Sequence, residues 1–264
     1  MRRRSTARAA AILFLLALNA GCGNKVVVPI GGFDQQAADE IAIQAATSLT
    51  VVGGDVELAV TTAPLAAQAG AREARPARAL WDTTIVAGGI TYEASRTFYD
   101  GAGGELPGYG PLAVRMRWTS RAYGTYEGPR DTASVGHDAL LDFTGIEVAQ
   151  DTVTIDGVGR DTLENRLRSL DGLRVRYFYW ESSTTVGAVR QLKNPAPGSE
   201  WPLSGTVTYV VSADRLRSNS RADVEAHLDA TVVVTFNGTS QPEILVNGAW
   251  RYRWNMVTGA ITRA

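Results

Sequence analysis

The chain has 264 residues, a formal net charge of −1 at pH 7 and one cysteine. With its only thiol at Cys22, it has no intramolecular disulfide and no later cysteine for thiol catalysis or metal ligation. Arg2, Arg3, Arg4 and Arg8 all lie at the extreme N-terminus, so the rest of the chain is acidic, which argues against nucleic acid as a partner.

Residues 1–22 form a basic head (Arg2, Arg3, Arg4), an apolar run from Ala9 to Leu18, and then Asn19-Ala20-Gly21-Cys22. A basic start, a short apolar stretch and small residues before a cut site mark a secretory signal. The apolar run is too short for a bilayer span, which needs roughly 20 residues. With its cysteine at the cut site, this segment resembles the signal of bacterial lipoproteins. The resemblance covers residues 1–22 and implies cleavage before Cys22, lipidation of that residue and a stable membrane anchor. Gly23 after the cysteine is compatible, in that class, with transfer to an outer membrane.

Residues 22–62 read as a tether, a helix and a first strand. Asp34 is placed to cap a helix whose apolar face carries Ala37, Ile41 and Ala45, ending near Ser48. Val56, Leu58 and Val60 alternate like a strand. Residues 63–80 are alanine-rich, carry Pro64 and Pro76, and read as a flexible linker.

From residue 81 to 264 the pattern is mainly β. β-branched and aromatic residues alternate with polar ones, and turn signals recur. Gly110-Pro111-Leu112, Trp118, His137 and Phe143-Thr144-Gly145 are matched about ninety residues later by Trp201-Pro202-Leu203, Tyr209, His227 and Phe236-Asn237-Gly238. This suggests two similar five-strand halves, 86–170 and 173–257. The first would use 86–98, 112–127, 135–145, 151–157 and 162–169; the second 173–186, 204–217, 223–237, 241–248 and 249–257. Asp156-Gly157, Asn237-Gly238 and Asn247-Gly248 suit tight turns. One-sided alternation predicts an antiparallel β-sandwich or a strongly curved sheet with the helix against it.

Few residues point to chemistry. His137 and His227 are the only histidines, at matching repeat positions, and read first as polar strand residues. Asp151, Asp156 and Asp161 are evenly spaced but do not fit an EF-hand loop. The glycine-rich stretch 100–105 lacks the strand-to-helix setting of a phosphate loop and reads as a hairpin loop. No serine sits in a Gly-x-Ser-x-Gly or Ser-x-x-Lys context. No cofactor or metal site is expected. Arg115, Arg117, Arg174, Arg176, Arg251 and Arg253 lie on alternating strands and would contact an envelope partner if they shared one face.

The stretches 232–239 and 244–248, followed by Thr258-Gly259, resemble the ends of uncharacterised β-rich bacterial lipoproteins. Together these features predict a lipid-anchored envelope protein facing the periplasm, with no enzymatic activity. It would bind or scaffold an envelope protein, polysaccharide or lipid. A carrier resembling the half-barrel carriers of the envelope is the alternative, and a carboxylate-dependent hydrolase the third reading.

Overall fold

The computed structural model describes residues 33–49, 83–87, 89–128, 131–168, 175–196, 198–219 and 222–264. Cys22, Arg174, the Val56–Val60 strand and the 63–80 linker lie outside the described residues.

Helix α1 spans 35–49. The Asp34 carboxylate accepts the Ala37 amide at 2.8 Å, which is the N-cap the sequence predicted. Ala37, Ala38, Ile41, Ala42, Ala45, Ala46 and Leu49 are buried. This i, i+1, i+4 pattern widens the predicted stripe, and its small side chains bring the helix backbone close to the sheet.

Twelve strands follow: β1 (Thr83–Ala87), β2 (Ile90–Tyr99), β3 (Glu105–Leu106), β4 (Arg115–Glu127), β5 (Asp131–Thr144), β6 (Thr152–Arg168), β7 (Val175–Leu192), β8 (Ser204–Asn219), β9 (Ala222–Phe236), β10 (Glu243–Val246), β11 (Trp250–Trp254) and β12 (Ile261–Arg263). All pair antiparallel in sequence order, except that β3 adds beside β2 off the main path. The result is one open sheet of eleven ordered strands, and not the two stacked sheets of a sandwich.

Two local expectations are corrected. The segments 151–157 and 162–169 are one strand, β6, and Asp156-Gly157 lies inside it. The irregularity that mimicked a turn is a bulge: the register shifts between Ile155 and Gly157, opposite Gly187 and Ala188 on β7. Asp156 Oδ1 holds it by accepting the Ala188 amide at 2.7 Å, and Ala188 has φ 47°. Asn247-Gly248 does make the expected tight turn, with φ 50° and 68°, between β10 and β11.

One face of the sheet is buried. Met116, Trp118, Ser120 and Ala122 of β4 alternate with more exposed neighbours, and Tyr252 and Trp254 of β11 do the same. A single row runs Arg96, Trp118, Leu141, Gly157, Val186, Val207, Val234, Ile244, Tyr252 across the sheet. Residues of this face and of α1 form one continuous core cluster.

Polar clamps fix α1 to the C-terminal part of the sheet. Asp39 accepts Tyr252 Oη at 2.8 Å, Gln35 Nε2 at 3.0 Å and both Arg263 Nε and Nη2, at 3.2 and 2.5 Å. The buried Arg215 of β8 donates to Glu40 at 2.5 Å.

Candidate functional site

The buried face is not apolar throughout. Across β5, β6 and β7, cross-strand partners His137, Asp161 and Ser182 sit side by side. In the adjacent row Thr184 of β7 faces Tyr209 of β8. All five are buried, and His137 is only 2% exposed. Polar side chains reach this face by strand phase: His137 lies in step with Ala139, Leu141 and Phe143.

The contacts are ordered. His137 Nδ1 meets Asp161 Oδ1 at 2.6 Å. Asp161 Oδ2 receives the Ser182 and Thr184 hydroxyls at 3.5 Å each. Trp180 Nε1 donates to Ser182 Oγ at 3.0 Å. Tyr209 is fully buried, and its hydroxyl has no hydrogen-bond partner among the described residues. Burial, and after it the Asp161 charge, push its phenol well above the ordinary range, so it stays a neutral donor.

The serine and threonine hydroxyls approach the carboxylate and not the imidazole. In a nucleophilic relay the hydroxyl bonds the ring nitrogen that faces away from the carboxylate. The arrangement suits recognition of a polar group in a dry setting. Among the described residues no three His, Cys, Asp or Glu side chains are grouped to hold a metal ion.

The sequence-predicted arginines do not come together. Arg115 stacks on Tyr99 at 4.2 Å, and Arg117 makes a two-pronged pair with Asp142 at 3.1 Å. Arg251 pairs with Glu243 at 2.8 Å, and Arg253 is exposed on the same strand. Between β4 and β11 lie seven strand steps, roughly 34 Å of sheet. Arg176 is in phase with Trp180, so it projects from the opposite face to Arg117, at an exposed strand end. The two histidines part in the same way. His227 is on the solvent face, where Asp214 meets its Nδ1 at 2.6 Å and Asp229 its Nε2 at 3.2 Å.

The stretch 100–104 is a self-closed hairpin loop, as its sequence suggested: Asp100 Oδ1 accepts the Ala102 and Gly104 amides. Trp118, Trp180 and Trp254 are core residues.

No protein-family model, curated protein or solved structure matches the chain.

Proposed function

We propose that this chain is a lipid-anchored cell-envelope binding protein, without catalytic activity, that holds its ligand against the buried face of the sheet. The observation that carries this reading is the fully buried, unsatisfied Tyr209 hydroxyl beside the His137–Asp161 pair. A buried polar group left unmade costs about 1–3 kcal/mol, so a native fold retains one where something else meets it.

A curled sheet would fit the same reading. A flat sheet of eleven strands would be about 48 Å across, while a helix with its side chains is about 10 Å wide. A single helix clamped at β8, β11 and β12 is consistent with a sheet curled around its buried face. The ligand is placed at the polar cluster on β5–β8. The two proposed halves, 86–170 and 173–257, correspond to the strands up to β6 and to β7–β11, so the cluster draws residues from both.

The anchor rests on residues 1–22, with Cys22 as acceptor and Gly23 directing the protein to an outer membrane, facing the periplasm. The separated and paired arginines favour the buried face over a basic outer patch as the contact surface.

Native mass spectrometry of the protein purified from its own membranes tests both parts. Acyl chains on Cys22 and a retained non-covalent molecule are the expected result. An unmodified N-terminus with soluble Cys22→Ser and wild-type protein alike would overturn the anchor; an empty protein would overturn the ligand reading.

A further inference from the structure

The polar cluster carries more than the presence of a ligand. Among the described residues it holds a donor without an acceptor, Tyr209 Oη, and an acceptor with slack donors, Asp161 Oδ2. A separation of 3.5 Å is the outer limit of a hydrogen bond. Asp161 Oδ1, by contrast, is engaged by His137 at 2.6 Å. The missing group therefore accepts from a phenol and donates to a carboxylate. A hydroxyl does both through one atom.

Charge narrows the class. A carboxylate or phosphate would be brought against Asp161 in a dry site, and an ammonium would compete with the imidazole that already faces Asp161. An uncharged ligand avoids both costs. The surroundings narrow it further. The row that leads to Thr184 and Tyr209 runs through Ala94, Ser120, Ala139 and Gly159, all small. The buried-face row on one side carries Trp118 and Leu141, and the row on the other carries the polar His137, Asp161 and Ser182. A row of small side chains, with an apolar row on one side and the polar row on the other, suits an apolar body that carries a single polar head.

We propose that His137, Asp161, Ser182, Thr184 and Tyr209 form a site for an uncharged, largely apolar molecule bound through one hydroxyl group. That hydroxyl accepts from Tyr209 Oη and donates to Asp161 Oδ2. The assignment rests on the binding reading above and names the ligand class.

The probe is 1-hexanol, titrated into the mature lipoprotein in non-ionic detergent. The Thr184 methyl and His137 imidazole resonances report the site. Hexyl methyl ether, which keeps an acceptor but has no O–H, is the comparison, alongside the Tyr209→Phe variant. The expected result is a saturable shift with hexanol, weakened about tenfold in Tyr209→Phe and about tenfold for the ether, the worth of one buried hydrogen bond. Equal affinity for alcohol and ether on the wild-type protein would overturn the assignment even if the variant failed to fold. So would a shift that never saturates, or no shift, which would leave only trapped water at the cluster. A molecule retained from the membrane alongside failed hexanol binding sinks the hydroxyl assignment alone; an empty protein sinks the reading beneath it.

Discussion

Replacing Asp39 by alanine should unlatch helix α1 from the end of the sheet. Asp39 is the shared acceptor for Tyr252, Gln35 and Arg263. Tyr252 is the costly partner, because it is 2% exposed and its O–H donates to Asp39 at 2.8 Å. Gln35 Nε2 donates to the Tyr252 oxygen and cannot accept from it. Without the carboxylate the phenol proton is stranded, at about 1–3 kcal/mol. The Arg263 contact is exposed and adds little. A loss of about 2 kcal/mol corresponds to a fall in Tm of about 4–8 °C for a chain of this size. Asp39→Asn retains an oxygen acceptor for Tyr252 and should cost less than half as much. Urea unfolding gives the energies, and hydrogen exchange should show α1 amides losing protection first. Equal losses for the two variants would refute the argument, since they would make charge, not the acceptor, the source. A pH series gives a second check. Burial alone would raise the Asp39 carboxyl, but the Arg263, Tyr252 and Gln35 donors outweigh it and hold it below its ordinary 3.8. Its contribution is therefore present above about pH 4 and is lost as pH falls through the lowered value.

Two further outcomes follow from the sheet. His227 is raised above 6.5, first by its hydrogen bond to Asp214 and then by the Asp229 charge. Its contribution is complete below pH 6.5 and fades as pH rises through the raised value, so an NMR titration should place its midpoint above 6.5 and His227→Gln should flatten the stability profile there; a midpoint at or below 6.5 would remove the basis for this. Gly157→Ala would drive a methyl to 2.3 Å from the Leu140 carbonyl oxygen and 2.9 Å from Leu141 Cα, both backbone. The strand must shift, at about 1–3 kcal/mol, and denaturant unfolding showing no loss would contradict the packing described at the bulge.

Much of the sheet was legible because alternation survives in most of the long strands. Met116, Trp118, Tyr252 and Trp254 fall on the buried face that their phase predicted. Asp34 was recognisable as a helix cap because its side chain acts locally. The candidate site was less legible, since a cross-strand pair exists only once register is set. His137 was readable as a polar residue in an apolar phase. Asp161 was not. It follows Gly157 and Gly159, which give no apolar phase, and precedes Leu163, Leu167 and Leu170, whose spacing imitates a helix. The one-residue bulge at Ala188 then reverses the phase within β7, so Val189 and Val186 both lie inside although their spacing is odd. The arginines illustrate the converse error. Alternation within a strand says which residues share a face, but it does not say which face of the next strand is its match.

The contrast between the two parts of the buried face is where fold and function separate. The buried core cluster that includes α1 takes in Val207, Val232, Val234, Ile244 and Val246, and the polar contacts Asp39 with Tyr252 and Glu40 with Arg215 join helix to sheet. Those contacts have partners and explain themselves as attachment. The described bonds of the β5–β8 cluster lie within the sheet, and the shortest, His137 to Asp161, links strands already held by a full ladder of backbone bonds. Valine or leucine at those positions would serve a core as well, since replacing both partners of a buried hydrogen bond by apolar groups can be nearly neutral or stabilising. Tyr209→Phe separates the two explanations. If the cluster served stability, losing the hydroxyl would weaken the empty protein; if it serves recognition, removing an unsatisfied buried donor should leave the empty protein as stable or more so, while hexanol affinity falls about tenfold.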